Sequence, residues 1–587
     1  MEIKRLNKVK AKRNLKAAVC ALTVMSSWFA SMATAASSGE SSTQKSMPSF
    51  ACLNPPSVSD FVPGDTSITS QNGVNCFAWQ VFIGLNWPAD TTIPGQPSSS
   101  AKDTDFGKPG NGKTQPVSTW ETYANSDAVF LPDGAKPKPF GAQSSPWGDG
   151  PAPESCASDE KAYRIMSSSR KVSFSKGSDA TFNMSGDLAQ AFPSDNPNWL
   201  ADKRGNLVYY EILFSKDQYD FIVDNELYNT NGQVDMIKAH KNIAMPLGVG
   251  VKPSDNITLG GLELKAAWLE LENPDAGNWK TDYKLTTASI YDETTQTCSD
   301  KTLALVGLHI IHKTASQPQW VWATFEHKMN APDNADLATA KNLKDYNFYS
   351  ESCTEMNVPS QCTAKTVNNM PVTKTSCDVN VSPAFYLDNT KDCAPYPIQV
   401  SRLFKIKDTT DNKVASINAA AQALIAVANA DSVFTNYQLV NTLWSSAAVN
   451  DNSPPGNPPV TPLSISGITP TLSETPVANT MLETYAQGFN CLSCHASASV
   501  AQKAEEELGK SYASDYSFVF SLANSLPSLS CYWMENYGNF SWVSAPQGKL
   551  SKQQCYDLNS CGDGGKQSGG GCYKWASGPD QPAQPWK

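Results

Sequence analysis

Along the first 450 residues, apolar positions come in short β-type runs more often than at helical spacing. The segments 207–214 (LVYYEILF), 262–271 (LELKAAWLEL) and 283–291 are bounded by Asn, Asp, Gly and Pro. That pattern predicts mostly antiparallel strands, with a sandwich as one way to arrange them. Residues 413–430 are Ala-rich and predict one clear helix. Residues 37–47 are Ser-rich, and 90–116 are rich in Pro, Ser and Gly, which predicts a long surface loop. Between 450 and 477 stand seven prolines with few charges, the composition of a stiff, extended linker and the best domain boundary in the chain. Beyond it, 478–526 is expected to turn helical, and the end is rich in Gly and Cys. The expected class is α+β: a large β-rich region over 36–449, the linker over 450–477, and a small helical domain over 478–587.

The amino terminus changes how the rest is read. Seven Lys and Arg residues lie between Lys4 and Lys16, followed by an apolar stretch over 17–30 and the small-x-small triplet Ala33-Thr34-Ala35. This is the layout of a secretory signal peptide over 1–35, and it implies a periplasmic or extracellular protein of a Gram-negative bacterium. Cleavage after Ala35 would move the formal net charge from −10 to −16. An acidic chain of that size argues against nucleic acid as a partner and leaves room for a partner protein with a basic surface. No apolar run beyond the signal is long enough to span a membrane. With 40% hydrophobic residues in 587, the chain can build real cores.

Export gives the 15 cysteines a meaning. Setting aside Cys20 in the signal and Cys491 and Cys494, an even set remains: Cys52, Cys76, Cys156, Cys298, Cys353, Cys362, Cys377, Cys393, Cys531, Cys555, Cys561 and Cys572. These predict up to six disulfides, with local clusters over 353–393 and 531–572. Neither cluster holds a CxxC pair or a histidine, so zinc is disfavoured.

Two further patterns need weighing. Gly107-Lys108-Pro109-Gly110-Asn111-Gly112-Lys113-Thr114 spells a phosphate-loop motif, but polar residues precede it and Gln115-Pro116 follow, so neither the strand nor the helix that such a loop requires is expected. The segments 302–312 (TLALVGLHIIH) and 320–327 (WVWATFEH) read as a hairpin. If residue 312 pairs with 320, then His309 and His327 share one face with Leu305, Gly307, Ala323 and Phe325, a candidate wall for a cofactor. His240, among lysines, is expected to face solvent.

The pattern with specific chemistry is Cys491-Leu492-Ser493-Cys494-His495. CxxCH is the attachment signature of c-type haem: two thiols on one helical turn add to the vinyl groups, and the adjoining imidazole ligates iron. The stretch 478–487 (ANTMLETYAQ) before it reads as a short helix with Asn479 as a possible cap, so the strand of a thioredoxin-like frame is missing. The segment 478–587 therefore resembles a c-type cytochrome domain. The run Ala478-Asn479-Thr480-Met481-Leu482-Glu483-Thr484-Tyr485 is similar to segments of exported bacterial cytochromes with long amino-terminal regions. The resemblance implies one covalent haem c, with Cys491 and Cys494 as thioether cysteines, His495 as proximal iron ligand, and a redox partner protein. Met534 is the one methionine after the motif and a candidate distal ligand; His309 and His327 are alternatives, and Met481 is expected in the core. Three functions follow: electron transfer, a peroxidase- or oxygenase-like haem enzyme with an open distal site, or a ligand-binding protein with accessory haem. No catalytic constellation, whether GxSxG, HExxH or a second CxxCH, accompanies the motif.

Overall fold

The Ser70 hydroxyl accepts the Gly73 amide at 3.2 Å and starts helix α1, Gln71–Leu85, twelve of whose residues are buried. A helix apolar on nearly every side has to be enclosed, and no amphipathic stripe announces it in the sequence. In this computed structural model it packs on one face of a large sheet, with Trp79 and Phe82 against Phe325 at ring separations of 5.1 and 4.3 Å. The structure describes residues 52, 58–66, 70–110, 115–131, 133–141, 165–169, 172–173, 181–182, 185–186, 199–292, 297–357, 366–367, 370–371, 374–381, 398–445, 477–488, 491–495, 498–509, 512–526, 530–536, 539–544 and 572–576. The expected signal peptide and the Pro-rich stretch as far as Pro476 lie outside them.

The sheet comprises β1 (Ala124–Asn125), β2 (Ile165–Ser169), β3 (Ser185–Gly186), β4 (Val208–Phe214), β5 (Leu262–Leu271), β6 (Leu285–Asp292), β7 (Thr297–His312), β8 (Val321–His327) and β9 (Tyr437–Leu443). Its order is β1-β4-β5-β7-β6-β2-β3, with β8 beside β7 and β9 beside β8. All pairs are antiparallel except β2 with β6. The length of β7 explains the branching: residues 297–304 pair with β6, residues 307–312 pair with β8 on the same edge, and β5 runs along the other edge.

The three strands and the Ala-rich helix expected from the sequence are present, the helix as Val414–Ala428. The sandwich is not: among the described residues both faces of this one sheet are covered by helices and loops. Trp79 Nε1 donates to Asn418 Oδ1 at 2.9 Å and ties α1 to the 414–428 helix.

The hairpin register differs from expectation by one residue. Val321, not Trp320, pairs with His312, so His309 lies opposite Thr324 and Gly307 opposite Glu326. Trp320 stands at φ +66°, inside the turn, with its amide bonded to Gln317 O at 2.9 Å, and this delays the strand by one position. A one-residue slip sends each side chain to the other face. His309 and His327 therefore lie on opposite faces, and the two-histidine wall does not form. The face of His309 instead carries Lys265, Gly307, Ile311, Trp322, Thr324 and Glu326.

The described residues between 477 and 526 cover that face. Tyr210 Oη donates to Met481 O at 3.0 Å, and Asn479 Nδ2 donates to Thr324 Oγ1 and Phe325 O at 2.9 and 2.7 Å. Met481 and Leu482 are fully buried in the same core as the strands. The stretch 478–487 forms turns rather than the expected helix, because Asn479, Thr480 and Gln487 bond across to other segments. Within the described part of 478–587, α-helix is confined to Cys491–His495 and Gln502–Leu508, with one 3₁₀ turn at Phe518–Leu522. The same region holds a three-stranded antiparallel sheet, β10 (Ser530–Asn536), β11 (Asn539–Ser544) and β12 (Cys572–Ala576), so the expectation of an all-helical end is corrected. Aromatic residues at Trp533, Trp542, Tyr573 and Trp575 favour strand over helix there.

Disulfides join Cys52 to Cys76 and Cys353 to Cys377, and Cys298 is also disulfide-bonded. The second pair closes within the expected 353–393 cluster. Cys156, Cys362, Cys393, Cys555 and Cys561 lie outside the described residues, and of Cys531 and Cys572 only the backbone is described. No helix among the described residues is long and apolar enough to cross a membrane.

Candidate functional site

Cys491–His495 is a single helical turn, which puts positions 491, 494 and 495 on one face of it. Leu492 is buried, and Cys491 Sγ lies 3.9 Å from Val477 O. The Cys494 side chain lies outside the described residues. His495 packs between Trp322 and Phe518, with ring separations of 4.5 and 4.9 Å. Its Nδ1 lies 2.7 Å from Tyr516 O. A backbone carbonyl can only accept, so Nδ1 carries the hydrogen and Nε2 is left as the donor toward a metal. Burial pushes the imidazole down to about 4, so the ring is neutral at pH 7, the form that ligates iron, although part of it still reaches solvent.

The carbonyl that holds His495 is itself held. Asp515 and Tyr516 both have positive φ, +53° and +66°, conformations that ordinary side chains adopt only when their surroundings enforce them. Asp515 supplies the enforcement: it forms a buried ion pair with Lys313, accepts the Met245 amide at 2.6 Å, and receives Trp320 Nε1 on its carbonyl at 3.1 Å. Two residues on, Ser517 donates to Glu263 Oε2 at 2.6 Å. Burial raises Glu263 above the usual carboxylate range, with Ser517 and Gln218 opposing. Turn 514–517 is thereby tied to the hairpin and to β5.

A second polar group stands on the same face. His309 Nε2 lies 2.6 Å from Glu483 Oε1, and its Nδ1 lies 2.8 Å from Thr324 Oγ1. Glu483 also accepts the Asn479 amide at 2.8 Å. Burial alone would raise Glu483, but His309 and the Asn479 N–H hold it below the usual carboxylate range. Burial lowers Lys265, the cross-strand neighbour of His309. Gly307 admits the loop: a Cβ there would stand 3.0 Å from Asn479 Oδ1 and 3.2 Å from Met481 Cβ.

The remaining candidates fall elsewhere. His327 is fully buried, stacked on Tyr283 at 3.6 Å, with Nε2 on Asp282 O and Nδ1 accepting the Met329 amide. His309 and His327 thus engage both ring nitrogens with protein groups. His240 is exposed and Met481 is fully buried, as expected. Met534 sits in β10 opposite Trp542 and Cys572, and its side chain lies outside the described residues. The phosphate-loop letters follow a 3₁₀ turn, Asp103–Asp105, instead of a strand.

Sequence reasoning missed Lys313, Asp515, Tyr516 and Trp322. The first three act through a backbone carbonyl, which leaves no signature in residue types; the pairing of Lys313 with Asp515 joins residues far apart in the chain.

The residues present fit a covalent haem: a thiol and a histidine on one turn, a neutral imidazole held through Nδ1 by a backbone carbonyl, and aromatic walls. No protein-family model matches this chain, and neither a curated protein nor a solved structure is significantly similar to it.

Proposed function

We propose that this chain is an exported c-type cytochrome that carries one covalent haem and transfers electrons. The reading rests on the CxxCH turn whose histidine is fixed through Nδ1 by the Tyr516 carbonyl. Cys491 and Cys494 would anchor the haem and His495 would ligate its iron through Nε2; bound there, the group supplies a one-electron couple.

The protein's own contribution is rigidity and exclusion of water. Lys313 and Asp515 hold the turn that orients His495, and fixed ligands keep reorganisation small when charge changes. Trp322 shields one side of the imidazole. Phe518, 40% exposed and in contact with the His495 ring, places the ligand one aromatic side chain from the surface, where a redox partner with a basic face would dock. Met534 is the proposed second axial ligand. The described residues between 58 and 445 serve here as the scaffold whose sheet face seats the haem segment.

A second reading, a haem enzyme with an open distal side, is favoured by one observation: the partly buried His309–Glu483 pair with Lys265 on the same sheet face as Trp322. A six-coordinate low-spin spectrum supports electron transfer; a high-spin spectrum that responds to cyanide or peroxide supports the enzyme.

A further inference from the structure

Of the five histidines, one has partners that suit both of its protonation states. His327 Nε2 donates to Asp282 O and its Nδ1 accepts the Met329 amide, a donor that leaves no place for a second proton. His312 Nε2 donates to Leu259 O, and its buried Nδ1 has no partner among the described residues. His495 Nδ1 is committed to Tyr516 O, and His240 is exposed. His309 differs. Its Nε2 faces the Glu483 carboxylate at 2.6 Å, an acceptor for an N–H in either state, and its Nδ1 faces the Thr324 hydroxyl at 2.8 Å. A hydroxyl donates to a bare ring nitrogen and turns to accept from a protonated one. Asn479 Nδ2, donating to the same Thr324 Oγ1 at 2.9 Å, holds that oxygen in place. The imidazole can therefore gain and lose a proton at Nδ1 without breaking either of its hydrogen bonds.

The pair also stands close to the proposed iron ligand. His309 lies opposite Thr324 on β8, and Trp322, two residues along the same face of β8, packs on the His495 ring at 4.5 Å. The charges of His309, Lys265 and Glu483 are all felt at the His495 imidazole. Lys265 comes from β5, with its Nζ 5.6 Å from the centre of the Tyr210 ring, and Glu483 comes from the loop over the sheet. Glu263 and the Arg402-bound Glu326 share this face. Side-chain exposures of 11% for His309 and 23% for Glu483 leave a route for protons from solvent.

We propose that His309 is a redox-linked proton site: reduction of the haem adds one electron from the redox partner and one proton from solvent at His309 Nδ1, and oxidation releases both. The inference rests on the haem reading above. Oxidised iron carries one more positive charge and repels the imidazolium, so the proton is held more weakly in the oxidised protein than in the reduced one. Raising the pH through the window between these two affinities strips the proton from the reduced form and lowers the midpoint potential. The limiting slope is a tenfold fall in the reduced-to-oxidised ratio, about 59 mV, per pH unit.

The midpoint potential of the full-length exported protein is measured from about pH 4 to about pH 9 beside His309→Gln, which removes the titration and keeps a hydrogen-bonding side chain. His240→Gln serves as the control for an exposed imidazole. Intact mass first shows whether haem is attached; its absence from the unmodified protein overturns the haem reading and this inference together. With haem attached, the unmodified protein and His240→Gln should show a total fall of about tenfold in the reduced-to-oxidised ratio at fixed poise, the effect of a unit charge at a partly screened site. His309→Gln should be flat over the same window. A fall that persists in His309→Gln puts the proton on Glu483 or on the haem's own carboxylates and overturns the proposal, as does a flat profile in the unmodified protein; the haem reading stands in both cases. Should His309→Gln fail to fold, NMR of the reduced, unmodified protein labelled with nitrogen-15 histidine decides. His309 Nδ1 is expected to gain its proton as the pH falls across that range, and a ring fixed in one form throughout overturns the proposal.

Discussion

The Nδ1 atom of His495 and the carbonyl oxygen of Tyr516 lie 2.7 Å apart across a turn in which two consecutive non-glycine residues have positive φ. The strain is tolerated because Asp515, the first of the two, is bound to Lys313, the Met245 amide and Trp320. The orientation of the proposed iron ligand therefore depends on an ion pair between residues 202 positions apart.

Asp515→Ala should destabilise the protein by about 3–5 kcal/mol, because it leaves the Lys313 ammonium buried and unpaired. Urea denaturation at pH 7 measures this. A loss under about 1 kcal/mol would mean that the turn does not depend on the pair.

Gly307→Ala should cost about 1–3 kcal/mol, since the added methyl meets Asn479 and Met481 where the loop crosses β7. The same substitution at Gly277, where a Cβ would meet nothing within 4 Å but φ is +65°, separates backbone strain from crowding. Equal costs at the two positions would count against close packing of the loop on the sheet.

How far the sequence went is visible at these positions. Period-two runs located β4, β5, β7 and β8, and CxxCH located the attachment turn, because local pattern suffices for both. Register did not follow, because Trp320 is an aromatic residue in a left-handed conformation that its side-chain type disfavours. The 478–487 stretch has helix-forming composition, yet Asn479 and Glu483 make their bonds to Thr324 and His309, partners about 155 and 174 positions away. Helix α1 lacked an amphipathic stripe because it is enclosed on nearly every side.

Acid should destabilise the fold through its buried neutral histidines. Burial pushes His327 down to about 3 and His312 to about 4, against about 6.5 in an unfolded chain. Their contribution is complete above about pH 6.5 and is lost as the pH falls toward the folded values, because the unfolded chain then binds the extra protons. Each contributes a slope of up to about 1.4 kcal/mol per pH unit in that window. His327→Gln should make the dependence of unfolding free energy on pH shallower between pH 6.5 and 4. An unchanged slope would show that His327 is protonated in the native protein.

Met534→Ala should convert the ferric spectrum from six-coordinate low-spin toward high-spin and lower the midpoint potential, since a thioether ligand favours the ferrous state. A spectrum identical to that of the unmodified protein would remove Met534 from the iron and direct attention to the His309–Glu483 side.

The most direct measurement is the intact mass of the purified exported protein, taken together with its oxidised and reduced absorption spectra. The expected result is one haem mass above that of the processed polypeptide, a reduced spectrum with the sharp α-band of a c-type haem, and loss of both in Cys491→Ser/Cys494→Ser. A colourless protein whose mass equals that of its amino acids would contradict it.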